Sequence, residues 1–302
     1  MTNEQRIKNL SVPTGVVDVV LDTDAYNEID DQFAIVYLLK YKEKLNTKAL
    51  YAAPFLNNRS VSPKDGMEKS YDEILKLLYI MEEDVPVFKG SEQFLDDEKT
   101  PAISPAAEDL VKRAKNYSPE NPLYVVAIGA ITNVASAILM CPEIAENIVI
   151  VWLGGHALHY HDTNEFNMCH DIAAARVVMG SGAPFVQLPC AGVVDVFTIS
   201  KPELESWLVD KSPIADYLAK NAIEEAEIYA KGPIWTRVIW DVTAVAWLAN
   251  DDDRFMSSRI IKTPVPTYDG LYADEVDGEP MRYVYNIKRD ILMADLINRI
   301  LD

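Results

Sequence analysis

Residues 16–31 read VVDVVLDTDAYNEIDD. The β-branched run up to Asp22 has the character of a buried strand. From Ile29, IDDQFAIVYLLKYKEKL (29–45) has helical spacing. A strand therefore hands over to a helix within a few residues. Asp22, Asp24, Glu28, Asp30 and Asp31 crowd the hand-over, five carboxylates in ten residues.

The same alternation continues outward. KALYAAP (48–54), LYVVAIG (123–129), IVIVWLGG (148–155) and PFVQLP (184–189) read as strands. Helices are expected over 66–82, 105–117, 131–140 and 171–180, with Pro105 suited to a first turn. Strands that alternate with helices form a parallel sheet covered on both faces. The expected fold is thus α/β, an open, mostly parallel sheet with helices on both faces. After residue 190 the pattern changes to helices at 202–230 and 236–249, joined by a KGP turn at 231–233. One or two strands, near 259–266 and 282–287, and a helix at 289–301 follow. No low-complexity linker interrupts the chain, so residues 1–302 are expected to form a single domain with helical additions in its C-terminal half. Segments 54–66 and 155–170 are the two long loops, and loops at strand ends are where such folds place their sites.

Nearly half of the 302 residues are apolar, and the formal net charge is −19. Such a surface repels nucleic-acid phosphate and anionic membrane, so neither is an expected partner. The apolar runs are too short to span a bilayer, and the N-terminus lacks the apolar core of a secretory signal. A cytoplasmic location is the expectation. Cys141, Cys169 and Cys190 are widely spaced and odd in number, which fits buried or partly buried thiols rather than a disulfide framework.

Crowded carboxylates repel one another unless a cation or a helix N-terminus offsets them. Caps and dipole partners account for Asp30 and Asp31 but not for Asp22 and Asp24 at the end of an apolar strand. A hard divalent cation accounts for all of them, because it needs several converging oxygens. Asp241 opens an otherwise apolar helix in VIWDVTAVAWLAN (238–250); taken alone, it reads as an N-cap. Glu165 and Asn167, in TNEFN (163–167), suit vicinal hydroxyls or a solvated loop equally. His156, His159, His161 and His170 fall within fifteen residues, but their spacing fits no zinc pattern; one of them as a substrate contact or proton donor is the better reading.

Together these stretches resemble the inosine-uridine nucleoside hydrolase family. DTDAYNEIDD (22–31) resembles its Asp-x-Asp-Pro-Gly-x-Asp-Asp run, with two extra residues before the Asp pair. AAPFLNN (52–58), AIGAITNVASAIL (127–139), TNEFNMCHDIAAARVV (163–178) and WDVTAVAWL (240–248) resemble its later motifs, in the same order. The resemblance implies Ca²⁺ held by the Asp24, Asp31 and Asp241 side chains and the Thr132 carbonyl. It implies ribose hydroxyls held by Asp30, Asn57, Glu165 and Asn167, with Asp22 supporting the site from behind. Asp24 would also be the base that activates water, for hydrolysis of the N-glycosidic bond of a nucleoside or related riboside. A homodimer or homotetramer is the implied assembly.

The chain departs from the family at three places. Ala25 and Tyr26 replace Pro-Gly in a longer loop. His159 stands where a sugar-binding asparagine is usual. Trp240 replaces a histidine proposed as leaving-group acid; indole stacks on a base but does not protonate it. These changes leave open a calcium-dependent sugar- or nucleoside-binding protein without turnover. A phosphotransferase of the haloacid dehalogenase type, with Asp22 as nucleophile, fits less well: it has no use for Asp30 and Asp31, and Tyr26 stands where it has Thr or Val.

Overall fold

The structure is a computed structural model that describes residues 1–273 and 278–302. In chain order its elements begin with α1 (Asn3–Asn9), β1 (Val17–Thr23), α2 (Asp30–Lys40), β2 (Leu45–Ala52), α3 (Pro63–Met81) and β3 (Val87–Lys89). There follow α4 (Pro105–Ala114), β4 (Leu123–Ala127), α5 (Thr132–Met140), β5 (Ile148–Leu153), α6 (Phe166–His170), α7 (Ile172–Gly180) and β6 (Phe185–Leu188). The C-terminal part holds β7 (Thr198–Ser200), α8 (Lys201–Trp207), α9 (Pro213–Tyr229), β8 (Thr236–Val238), α10 (Val242–Trp247), β9 (Met256–Lys262), β10 (Pro280–Ile287) and α11 (Arg289–Leu301).

Eight strands form one sheet in the order β3-β2-β1-β4-β5-β6-β10-β9. All neighbours in it are parallel except β10 and β9, so the edge strand β9 runs against the rest. The central strands are apolar on both sides because both faces are covered. Val19, Leu21, Val126 and Val151 pack with α2, α10 and α11 on one face; Val20, Val125 and Ile150 pack with α4, α5 and α7 on the other. Helix starts follow local chemistry. Ser62, Ser104 and Ser212 each cap a helix by accepting a backbone N–H, and a proline takes the next position.

The chain runs outward from β1 through β2 to β3, then returns to place β4 on the other side of β1. That reversal opens a crevice beyond the carboxyl ends of β1 and β4, the usual ligand position in open α/β sheets. Asp22, on β1, lies in register with Ala127 of β4.

The expected fold class holds, with local differences. The expected helix 202–230 is two helices, α8 and α9. Between them Asp210 takes a positive φ of 59°, and Ser212 and Pro213 begin a new cap. The first three residues of the expected helix 236–249 instead form β8, paired antiparallel with β7. The strand expected near 259–266 lies at Met256–Lys262. α1 and β3 were not expected at all. Among the described residues no helix is long and apolar enough to cross a membrane.

Candidate active site

A cavity of about 200 Å³ opens at the crevice. Six carboxylates line it: Asp24, Glu28, Asp30, Asp31, Glu165 and Asp241. The rest of the wall comes from Asn27, Asn164, Asn167, His156 and Cys190, with Ile128, Leu153, Phe166 and Trp240 as its apolar part.

Asp24 follows β1 directly and is buried. Neither of its carboxylate oxygens has a hydrogen-bond partner. Burial, then the Asp31 and Asp30 charges, hold its pKa well above the usual carboxylate range. The turn after β4 closes on it: a Cβ on Gly129 would stand 3.1 Å from the Asp24 carboxylate. Asp30 and Asp31 occupy the first turn of α2, where the helix N-terminus favours negative charge. The Thr23 hydroxyl donates to Asp31. Asp241 immediately precedes α10, and burial, followed by the charges of Asp30 and Asp31, raises its pKa. Burial and Glu28 push Asp30 up to about 7, against the opposing effects of Asp241 and Arg237.

Asp30, Asp31 and Asp241 each bring a carboxylate oxygen within 4.8 Å of the others, the one such group of three among the described residues. Unneutralised, this cluster is self-repelling. Orphaned oxygens on Asp24 beside three converging carboxylates are what a hard divalent cation requires. The donor set therefore fits a hard divalent cation in charge and ligand type, and Asp30, expected only on the sugar, belongs to the tightest trio.

Behind the cluster, Asn133 Nδ2 donates to Asp22 Oδ1 at 2.7 Å. Asp22 is fully buried, and burial raises its pKa to about 7. It does not line the cavity, which removes it from the position a phosphotransferase nucleophile would need. Thr132 opens α5; its hydroxyl donates to Asp171 at 2.7 Å, and Asp171 in turn caps α7.

Glu165 caps α6. Its carboxylate accepts N–H bonds from Asn167, Gly155 and Met168 at 2.8–2.9 Å, yet burial still lifts its pKa to about 7. Asn167 Nδ2 donates to the carbonyls of Leu153 and Ile128 at 3.0 and 3.2 Å, which ties the ends of β5 and β4 together.

Asn57 and His159 are not on the cavity wall. Asn57 donates to Asn27 Oδ1 at 2.6 Å and accepts from the Arg59 N–H, so it supports Asn27, which does line the cavity. His159 packs against Tyr160, and His156 is the histidine at the wall. Exposed His161 pairs with half-buried Asp162. Both ring nitrogens of His170 meet carbonyl oxygens, of Phe166 and Leu56, so the residue ties α6 to the loop after β2. The four histidines thus do separate work.

Asn27, Glu28 and Asn133 received no individual role from the sequence, and His156 only a shared one as one of four candidate histidines. Asn133 was signalled by a lone amide in the apolar start of α5. Asn27 and Glu28 lie in the loop that is two residues longer than the family's, where no pattern assigns a role; Glu28 is held by Arg237 at 2.8 Å.

The chain is similar to several known proteins. The non-specific ribonucleoside hydrolase RihC of Salmonella enteritidis is 27% identical over 268 residues, covering 79% of this chain and 80% of its own. A plant nucleoside hydrolase, the PpNRh1 enzyme, superposes with a TM-score of 0.74 at 22% identity, over 94% of this chain and 99% of its own. The purine-preferring ribonucleoside hydrolase of Gardnerella vaginalis superposes with a TM-score of 0.73 at 18% identity, over 94% and 98%. The model of the inosine-uridine preferring nucleoside hydrolase family matches residues 19–276, and the chain belongs to that family.

Proposed function

We propose that the protein hydrolyses the N-glycosidic bond of ribonucleosides or related N-ribosides in a calcium-dependent reaction, with Asp24 as the base. The observation that carries this reading is the Asp24 carboxylate, buried at the cavity with both oxygens unpartnered and its pKa raised. A carboxylate with no competing partner is free to take a proton from water.

Asp24, Asp31, Asp241 and the Thr132 carbonyl would hold the cation. When bound, calcium neutralises part of the carboxylate charge and polarises the oxygens it touches. Asp30, Glu165 and Asn167 would receive the ribose hydroxyls, with Asn57 acting through Asn27. Asp24 takes the proton of a water whose oxygen bonds to the anomeric carbon. The carbon–nitrogen bond breaks, and its electron pair leaves with the base. The sugar acquires oxocarbenium character on the way, which the surrounding carboxylates stabilise. Trp240 lines the cavity one residue before Asp241 and would stack on the departing base. A cytoplasmic homodimer or homotetramer is the assembly the family likeness suggests.

Trp240 in the acid's position favours one second reading, a sugar-binding protein that does not turn over. Release of reducing sugar from a nucleoside panel, with and without chelator, separates the two. Chelator-sensitive release supports hydrolysis. Ribose binding with no release from any substrate supports the binder.

A further inference from the structure

Resting on the hydrolase reading, we propose that Asn27 donates a hydrogen bond to a ribose hydroxyl, and that Asn57 positions it by fixing which end of its amide faces the cavity. The relay begins at a backbone N–H, which can only donate. The Arg59 N–H donates to Asn57 Oδ1 at 2.8 Å, so the other end of that amide is Nδ2, a donor. Asn57 Nδ2 donates to Asn27 Oδ1 at 2.6 Å, so the free end of the Asn27 amide is again Nδ2. The main-chain N–H of Asn27 donates to the Asp24 carbonyl at 2.7 Å, which holds this turn next to the acidic cluster. Asn27 is 7% exposed and lines the cavity, and its Nδ2 meets no acceptor among the described residues.

Neither asparagine titrates, so the direction of this relay is the same whatever protons the neighbouring acids carry. Asn167 has the opposite sense. Its Nδ2 is spent on the Leu153 and Ile128 carbonyls at 3.0 and 3.2 Å, which leaves its Oδ1 for the cavity. A hydroxyl carries one proton and two lone pairs, and a carboxyl keeps an accepting oxygen in either protonation state. A hydroxyl that gives its proton to a wall acceptor such as Asp30 still needs a donor for its lone pairs, and Asn27 brings one. Asn27 lies between the water-activating Asp24 and the hydroxyl-binding Asp30, so the acceptor it meets is a sugar oxygen. A hydrogen in place of that hydroxyl leaves the Asn27 N–H unpaired. Asn57, off the cavity wall, touches no substrate and acts through the orientation of Asn27.

The test follows hydrolysis of 4-nitrophenyl β-ribofuranoside by the calcium-loaded enzyme, with inosine, uridine and their 2′-deoxy and 3′-deoxy analogues as competitors. Asn27→Asp is isosteric and still accepts from Asn57, but has no N–H to give. Asn27→Ala removes the same donor without adding charge. Asn57→Asp still accepts from the Arg59 N–H but demands a donor from Asn27, whose amide turns and shows its oxygen to the cavity. The ratio of Ki between a deoxy analogue and its ribonucleoside cancels effects common to both. One neutral hydrogen bond is worth ~3- to 10-fold, so all three variants should shrink the parent's ratio at one of the two hydroxyls by that factor. A ratio that Asn27→Asp and Asn27→Ala leave unchanged, whether or not affinity falls, overturns the proposal while the hydrolase reading stands. A ratio shrunken in those two but not in Asn57→Asp overturns the positioning role of Asn57. No release of nitrophenolate by the parent protein overturns the hydrolase reading and the proposal with it.

Discussion

Asn133, on α5, holds the Asp22 carboxylate of β1 with a 2.7 Å hydrogen bond that bridges the two strand–helix units on either side of the crevice. Its amide oxygen accepts in turn from the Ser91 N–H at 2.8 Å. Asn133→Ala leaves a buried carboxylate oxygen and a buried N–H unpaired. A loss of ~1–3 kcal/mol for each unsatisfied group is expected, read as a lowered melting temperature with weaker calcium binding. An unchanged melting temperature would show that the bond does not support the site.

Gly129 lets the turn after β4 approach Asp24. In Gly129→Ala the new methyl meets the Asp24 carboxylate at 3.1 Å, and the carboxylate must shift. Small displacements at reacting groups are costly, so kcat/KM is expected to fall by about 10- to 100-fold with little change in thermal stability. Full activity would place the base elsewhere.

The β1–α2 hand-over, the parallel sheet and the crowding of Asp24 and Asp31 were legible in the sequence, because hydrophobic periodicity and carboxylate density are local signals; Asp241, which alone reads as an N-cap, was joined to them only by the family resemblance. The pairing of Thr236–Val238 with Thr198–Ser200 was not: three residues carry no period, and the partner strand is distant in the chain. The break between α8 and α9 was marked by Ser212 and Pro213, a cap signal inside an otherwise continuous helical pattern. The displacement of Asn57 from the cavity by Asn27 depends on how the inserted loop packs, which no local pattern encodes.

Trp240 is expected to act on the base rather than on the sugar. Stacking on a base is worth ~1–3 kcal/mol, so Trp240→Ala should raise KM by about tenfold or more and lower kcat less. Trp240→Phe should recover most of that loss. Equal effects of both variants on kcat, with KM unchanged, would remove the stacking role.

Stability should depend on pH through the buried acids. Burial pushes Asp22, Asp30 and Glu165 up to about 7. Each binds its proton more tightly folded than unfolded, so its ionisation opposes folding above pH 7. That cost fades as the pH falls through 7 toward the ordinary carboxylate range. Metal-stripped protein should therefore melt at a higher temperature at pH 6 than at pH 8, and saturating calcium should flatten the slope. A melting temperature that falls from pH 8 to pH 6 in stripped protein would contradict this electrostatic account.

The most direct measurement is ribose release by Asp24→Ala beside the parent protein, paired with calcium titration of both. Loss of measurable calcium binding and a fall in kcat/KM of at least ~10²–10⁴-fold are expected, with the circular dichroism spectrum retained. An Asp24→Ala protein that kept full activity would contradict the assignment of base and metal ligand together.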